Sequence, residues 1–234
     1  KLEYEDSNKK WRDNLFSEEF LNKKTIKEKV DIFFARSNIL HKEKKYLDSS
    51  KNLQIANQLK LKLNPSDCNL LFKKTKLLLI ETEKRDNIEI KQKSYRQNIF
   101  IVGMPRSGST LVESILSLNR DLKDLGESNV FEKAFKKSRK FGQKTSLNEL
   151  YSQEINQLSK GSSITSNKWL YNYQYAGIIA NEILNSKIIH CFRNPLDNIL
   201  SITRANFDKG NYYSSSCIDA TAVYLDQENI MKIY

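Results

Sequence analysis

One loop carries the clearest chemistry in the sequence. Residues 103–110 read GMPRSGST; they follow the apolar run 99–102 (IFIV) and lead into the helical pattern LVESIL at 111–116. Both glycines and the final Thr match the phosphate-binding pattern G-x-x-x-x-G-K-[ST], but Ser109 stands at the Lys position. Glycines let the backbone wrap around an oxyanion, and the N–H groups that start the next helix point at it. We therefore predict an anion-binding loop.

The missing Lys narrows the kind of anion. Arg106 supplies the cation of the loop, as a planar guanidinium suited to a terminal phosphate. Kinases and NTPases use Lys and Mg²⁺ to stabilise charge across a triphosphate, and no strand with a magnesium-binding Asp at its end is recognisable. The pattern favours a nucleotide that carries single phosphates at separate positions. A strand-to-helix turn that merely needs its glycines is the structural alternative.

A second strand end repeats this arrangement. Residues 187–192 (KIIHCF) form another apolar run, followed by Arg193, by Asn194 as the N-cap of a helix and by Pro195 at its first position. We expect Arg193 to make a second anion site beside the first, across neighbouring strand ends. The residues expected to bury this helix are Ile199, Leu200 and Ile202.

The elements that position these loops suggest two regions. Two strand–loop–helix repeats predict an α/β fold with a central parallel sheet over 98–234, each run being typical of a strand buried on both faces.

Residues 27–63 predict two antiparallel helices, like one degenerate tetratricopeptide repeat (TPR), and a further helix follows residues 64–67. We place the domain boundary in the polar stretch 84–97, with a helical region over 1–97. Two stripes mark the faces of the helix pair, Val30, Phe33, Phe34, Ser37 and Leu40 on one helix and Leu53, Ala56, Leu59 and Leu63 on the other.

Composition excludes several classes. The net charge is +11, from 39 Lys and Arg against 28 Asp and Glu, but most of the excess lies before residue 98, where lysines alternate with acids as on a solvated helix face. We therefore predict no nucleic-acid binding. No apolar run is long enough to span a bilayer. Three dispersed cysteines and two histidines predict neither a disulfide framework nor a metal site.

The ordered motifs resemble the sulfotransferase family. The likeness is strongest to the bacterial type with TPRs ahead of the catalytic domain, and more distant to tyrosylprotein sulfotransferases. It implies a P-loop-NTPase-like, three-layer α/β domain over 98–234. The matching segments are residues 101–113, 125–127 (LGE), Lys168 with Asn172, residues 187–201, and Phe207, Gly210, Tyr212 and Tyr224.

The resemblance implies transfer of a sulfuryl group from 3′-phosphoadenosine-5′-phosphosulfate (PAPS) to a hydroxyl, leaving adenosine 3′,5′-bisphosphate. Glu127 would be the general base, Lys168 would neutralise charge on the bridging oxygen, and Arg106 would join them in catalysis. Arg193 and Ser201 would hold the 3′-phosphate. The residues that would bind the 5′-phosphosulfate are Pro105, Arg106, Ser107, Gly108, Ser109 and Thr110.

Some residues depart from the family or compete for its roles. The family pattern Asp-Lys-x-Pro-x-Asn is here residues 167–172 (NKWLYN), with Leu170 for the proline and Trp169 and Tyr171 as flanking aromatics that could line an altered acceptor pocket. His190 competes with Glu127 as the base, but we expect it to be buried and hydrogen-bonded within its strand. Arg204 is a further candidate ligand of the 3′-phosphate.

The remaining expectations concern partners, location and rival functions. The acceptor is a hydroxyl on protein tyrosine, carbohydrate or a small molecule, and the oligomeric state is not predicted. We expect a bacterial cytoplasmic location, although a chain that begins with Lys leaves a targeting segment open. Because the chain ends within a helix, at residues 231–234, we expect the C-terminal part of the domain to be missing. The rivals are a P-loop nucleotide kinase or NTPase and a non-catalytic helical adaptor that binds peptides.

Overall fold

The computed structural model describes residues 6–85, 96–141, 145–159, 161–207 and 210–234. The chain forms two compact units: one comprises Lys1–Cys68 and Ile199–Ala222, the other Asn69–Asn198 and Val223–Tyr234. Compact units and predicted sequence regions therefore divide the chain differently. Most of the predicted boundary segment 84–97 lies outside the described residues, and the boundary stays a prediction.

The first unit is helical. It begins with α1 (Asp6–Phe16) and α2 (Glu18–Asn22), and its main pair is α3 (Ile26–Lys42) and α4 (Tyr46–Leu63). α3 starts at a capping box, in which Thr25 and Glu28 bond each other's backbone N–H. The predicted helix pair is thus confirmed, and the whole α3 stripe from Val30 to Leu40 is buried. On α4 the stripe is buried at Ala56 but exposed at Leu63, where the helix ends.

The second unit is built around a parallel sheet. Its strands are β1 (Gln97–Gly103), β2 (Leu122–Asp124), β3 (Ile164–Asn167) and β4 (Ser186–Cys191), in the order β2-β3-β1-β4. Every pair is parallel, with Phe100 opposite Asn167 in β3 and Gly103 opposite Cys191 in β4. The predicted parallel α/β sheet is confirmed. The short strands β2 and β3 were not predicted.

Helices connect and cover these strands. The helices of this part of the chain are α5 (Asn69–Arg85), α6 (Ser109–Leu116), α7 (Val130–Phe141), α8 (Leu147–Ser159), α9 (Ala176–Glu182), α10 (Pro195–Thr203) and α11 (Cys217–Ile233). Two 3₁₀ segments, Leu170–Tyr175 and Tyr212–Ser215, precede α9 and α11. Helices α10 and α11 each contribute residues to both units. In the described ranges, none of these helices combines the length and the apolar character that crossing a bilayer demands.

The two predicted core strands differ in burial. Phe100, Ile101 and Val102 are fully buried in β1; since successive strand residues point to opposite faces, both faces are covered there. Phe100 packs on Phe131 and Tyr151, with ring centroids 5.8 and 5.5 Å away. For β4 the prediction was wrong: only Cys191 is buried, because β4 lies at the edge of the described sheet. The carboxyl ends of all four strands meet at one edge, where the candidate site lies.

Candidate active site

Two glycines shape the predicted anion loop. Gly103 has φ +145°, and a Cβ there would lie 2.5 Å from the backbone oxygen of Cys191. No larger residue fits between the ends of β1 and β4 without moving backbone. Gly108, with φ +98°, forms the N-cap of α6 in a left-handed conformation that favours glycine. The loop therefore turns sharply from strand to helix with its backbone open to a ligand.

The tip of the loop is held by side chains from the end of β4 and the start of α10. Arg106 adopts φ +69°, a left-handed conformation that is costly for a residue with a Cβ. Fully buried Asn198 donates to the Pro105 oxygen at 3.0 Å, and Arg193 Nη1 donates to the Arg106 oxygen at 3.2 Å. These two bonds fix the carbonyls on either side of the strained residue. Asn198 was not found from the sequence, because 93 positions separate it from Pro105.

The inside of the loop offers donors for an anion. The Ser107 hydroxyl is buried, and no partner for it occurs among the residues that the structure describes. Ser109 is buried at the first position of α6, and Thr110 follows it. The backbone N–H groups of Ser109 and Thr110 have no acceptor within the helix, whereas that of Leu111 bonds the Gly108 oxygen at 2.9 Å. A phosphate or sulfate group would satisfy both the orphaned hydroxyl and these N–H groups, so the loop fits an oxyanion.

The second predicted anion site lies directly beside the first. Asn194 Oδ1 accepts from the N–H groups of Leu196 and Asp197 at 3.0 and 3.3 Å, which confirms it as the N-cap of α10. Arg193 is exposed, and its backbone oxygen accepts from Tyr224 Oη at 3.1 Å. The structure thus brings Arg193 against Arg106, as expected for neighbouring strand ends.

The rest of α10 is only partly as predicted. Ile202 is fully buried and Ile199 half-buried, but the expectation for Leu200 was wrong, because its side chain points to solvent. Ser201 and Arg204 belong to the first unit. Their expected roles as ligands of the 3′-phosphate stay predictions, and Arg204 bonds the His41 ring at 3.0 Å within its own unit.

Lys168 joins the anion loop to Glu127. The lysine follows β3, and its side chain is only 5% exposed. Its ammonium donates to Thr110 Oγ1 at 3.3 Å and to Glu127 Oε1 at 2.7 Å. Burial alone would lower the pKa of Lys168, but the hydrogen bond to Glu127 and the charges of Glu113 and Glu127 outweigh burial and raise it. Lys168 is therefore a firmly charged cation at the mouth of the loop.

Glu127 sits on a loop that the end of β3 holds in place. The Leu125 N–H donates to the Ser166 oxygen at 2.8 Å, and the Lys168 N–H donates to the Gly126 oxygen at 3.0 Å. Fully buried Asn167 donates to the Ser128 oxygen at 2.7 Å. The backbone is clasped on both sides of Glu127, while the glutamate side chain is 67% exposed. A carboxylate so placed can meet a substrate from solvent.

Two acidic residues of the site were not predicted. Glu113 lies on α6, and its Oε2 is 3.4 Å from the Lys168 ammonium. Asp124 ends β2, and its Oδ1 accepts from the Gly126 N–H at 2.6 Å. Burial, with the neighbouring Asp124 carboxyl, raises the pKa of Glu113 to about 7 against the opposing charge of Lys168. The spacing from Thr110 to Glu113, three residues on one helix face, was the available signal for the glutamate.

Asp124 also corrects an expectation, since a strand of this sheet does end in an Asp. Its carboxylate is committed to the Gly126 backbone and to Glu113. Over the described ranges, no group of three or more His, Cys, Asp or Glu side chains is arranged to hold a metal ion.

The remaining candidates from the sequence are the aromatic residues after Lys168 and His190. Trp169 and Tyr171 pack with ring centroids 5.8 Å apart, and Trp169 Nε1 is buried with no partner among the described residues. His190 is half-buried in β4, with Nε2 3.0 Å from Glu228 Oε1. A hydrogen-bonded histidine was expected; full burial was not correct, because β4 is an edge strand.

Comparison with known proteins supports the resemblance. Residues 98–157 match the sequence model of the sulfotransferase family, a segment that contains the anion loop, Glu113, Asp124 and Glu127. Over 132 residues the chain is 30% identical to an uncharacterized protein of Aquifex aeolicus (strain VF5), covering 48% of this chain and 17% of that protein. The chain thus matches less than a fifth of the length of that relative. No solved structure matches the chain.

Proposed function

Because residues 98–157 belong to the sulfotransferase family, we propose that this protein transfers a sulfuryl group from PAPS to a hydroxyl acceptor. Family membership suggests sulfuryl transfer in general. PAPS as the donor, the hydroxyl acceptor and the role of each residue form our proposal. The likeness of this chain to the TPR-containing bacterial type and to tyrosylprotein sulfotransferases is part of the same proposal.

The observation that carries the proposal is the position of the Lys168 ammonium. It lies between Thr110 Oγ1 of the anion loop, at 3.3 Å, and Glu127 Oε1, at 2.7 Å. Group transfer between two oxygens needs a cation at the donor side and a base at the acceptor side, close to each other. The contact of Lys168 with both groups supports these two roles.

The loop residues are our proposed binding site for the donor. Ser107, Gly108, Ser109 and Thr110 would hold the sulfate-bearing phosphate through backbone N–H groups and hydroxyls, and Arg106 through its guanidinium. Two observations support this: the orphaned Ser107 hydroxyl and the left-handed Gly108 that opens α6. The exposed Arg193 beside the loop is our proposed ligand of the 3′-phosphate. The same role for Ser201, and a supporting role for Pro105, rest on the resemblance.

The residues would divide the reaction between them. PAPS supplies the sulfuryl group and the bisphosphate leaving group. Glu127 takes the proton from the acceptor hydroxyl as the acceptor oxygen forms its bond to sulfur. Lys168 and Arg106 stabilise the negative charge that gathers on the bridging oxygen as the sulfur–oxygen bond to the bisphosphate breaks. The products are a sulfate ester, adenosine 3′,5′-bisphosphate and one proton.

The acceptor must reach Glu127. The 67% exposure of the Glu127 side chain supports an acceptor that approaches from solvent, as a protein side chain or a saccharide can. The aromatic pair Trp169 and Tyr171 follows Lys168 directly in the chain. We propose this pair as part of the acceptor surface.

The proposal is tested by transfer itself. The chain is incubated with ³⁵S-labelled PAPS and separate pools of tyrosine peptides, saccharides and phenols, and labelled product is measured. We expect label in one hydroxyl-bearing pool and none in matched pools whose hydroxyls are methylated. Hydrolysis of ATP with Mg²⁺ but no transfer from PAPS would contradict the proposal and favour a P-loop NTPase.

A further inference from the structure

Glu113 is a buried carboxyl that the proposed reaction does not use. It lies on α6, with its side chain 11% exposed, and its only charged neighbours in the described part of the chain are Lys168 and Asp124. Its Oε2 lies 3.4 Å from the Lys168 ammonium. Its Oε1 is buried, and no donor reaches it from the described residues. Burying an ionisable group costs free energy unless it is paired and hydrogen-bonded, so the neighbours of Glu113 are informative.

The second neighbour of Glu113 is Asp124. Asp124 is a carboxyl as well, and two carboxylates repel each other unless one of them carries a proton. A proton on Glu113 would donate to Asp124 and remove this repulsion. Asp124 in turn accepts from the Gly126 N–H, one residue before Glu127. Glu127 and Glu113 thus both contact the Lys168 ammonium, while Asp124, the carboxyl neighbour of Glu113, bonds back to the loop of Glu127.

Glu127 alone is a poor anchor for Lys168. Its side chain is mostly exposed, and water that reaches the carboxylate screens its attraction for the ammonium. When Glu127 accepts a proton in the proposed reaction, it also loses its charge. Glu113 approaches Lys168 from within the structure, on a helix that starts at the anion loop. It can hold the ammonium at Thr110 before and after that proton transfer.

We propose that Glu113 is a positioning residue for the transfer reaction: with Asp124 as its proton partner, it holds the Lys168 ammonium between the anion loop and Glu127. This inference rests on the proposed function. It adds a residue that acts through Lys168 and does not touch either substrate. The groups that face Glu113 are Lys168 after β3 and Asp124 at the end of β2, while Glu127 acts on it through Lys168.

Glu113→Gln tests this role, since glutamine keeps the shape and can donate to Asp124 but has no charge for Lys168. We expect kcat to fall about 10- to 100-fold, as for a displaced catalytic group. Affinity for adenosine 3′,5′-bisphosphate should stay within about twofold, because the loop backbone is intact. In the wild type, kcat should show a limb near pH 7 as Glu113 ionises, and the variant should lack it. An unchanged kcat and an unchanged limb in folded Glu113→Gln would overturn the proposal.

Glu132→Gln is the matched control. Glu132 has a similarly buried side chain in the same unit, 14% exposed, and pairs with Lys74 and Lys136. It has no contact with Lys168 in the structure, so its kcat and pH limb should equal those of the wild type. Loss of the limb in this control would overturn the assignment to Glu113.

Two further measurements separate the outcomes. If Glu113→Gln does not fold, Glu113→Asp keeps the charge and should retain part of kcat together with a pH limb. Loss of the limb in folded Glu113→Asp would overturn the positioning role of Glu113.

If the wild type transfers no sulfuryl group, the proposed function fails. The pKa of the Lys168 ammonium, followed by NMR of its Cε, still tests whether Glu113 positions Lys168. That pKa should fall in Glu113→Gln, and an unchanged value would overturn the inference.

Discussion

The Lys168 ammonium donates to the Glu127 carboxylate at 2.7 Å, and the two side chains differ sharply in exposure, 5% against 67%. A buried cation is thus paired with a carboxylate that solvent reaches. In the proposed function, this pair lies where the protein would meet the acceptor. The lysine faces the anion loop, and the glutamate faces outward.

Glu127→Ala should abolish transfer while leaving donor binding intact. A general base contributes about 10²–10⁴-fold, so the rate of labelled-sulfate transfer should fall by that factor. The anion loop makes its own contacts, and calorimetry should give a wild-type Kd for adenosine 3′,5′-bisphosphate. Ser128→Ala, one residue along the same loop, is the control and should transfer normally. Substantial transfer by folded Glu127→Ala would remove it as the base.

Arg193→Ala should weaken the bisphosphate selectively. The exposed guanidinium lies beside Arg106 and can meet a phosphate outside the loop. We expect about 10-fold weaker binding of adenosine 3′,5′-bisphosphate, typical of one lost charge-assisted contact, and a smaller loss for adenosine 5′-phosphate, from the lost bond to the Arg106 oxygen. Arg120→Ala removes an equally exposed charge after α6 and should change neither. Equal losses for both nucleotides in Arg193→Ala would exclude the 3′-phosphate role.

Two substitutions at Arg106 distinguish the effect of backbone strain from that of anion binding. Both Arg106→Ala and Arg106→Gly remove the guanidinium, so both should lose affinity for the bisphosphate. Only glycine relieves the left-handed φ of +69°, and urea unfolding should show Arg106→Gly about 1 kcal/mol more stable than Arg106→Ala. Equal stability of the two variants would mean that the loop stores no strain at this residue.

Stability should depend on pH through Glu113. Its pKa is raised to about 7 in the folded protein from an ordinary value of 4.5, so between these values the folded state holds a proton that the unfolded state has released. The free energy of unfolding should therefore fall as the pH rises from about 4.5 to 7, and this contribution should then level off. Urea unfolding at a series of pH values measures it. Glu113→Gln should lack this part of the slope; an identical slope would contradict the raised pKa.

Sequence was informative where the chemistry is local. The loop 103–110, its strand and its helix are adjacent in the chain, so spacing alone predicted them. Arg193 and Asn194 were equally accessible, because a cation, a cap and Pro195 follow one another. The parallel pairing of β1 with β4 then brought the two loops together, as the strand–loop–helix repeats required.

The missed features depend on contacts across the fold. Strand β2 has three residues, too few for a periodic pattern, so Asp124 was not recognised. Lys168 follows Glu113 by more than fifty residues, and their proximity depends on β3 lying beside β1. Leu200 was misjudged, because an apolar residue on a helix gives no sign of which side the protein covers. The edge position of β4, which leaves Ile188 half-buried, is likewise a property of the sheet as a whole.

Calorimetry with two nucleotides tests the central claim most directly. The wild-type chain is titrated with adenosine 3′,5′-bisphosphate and, separately, with ATP and Mg²⁺. A loop with Ser109 at the lysine position, Arg106 within it and Arg193 beside it should bind the bisphosphate at least about tenfold more tightly, a difference of about 1.4 kcal/mol. Tighter binding of ATP with Mg²⁺, or no binding of the bisphosphate, would contradict the account.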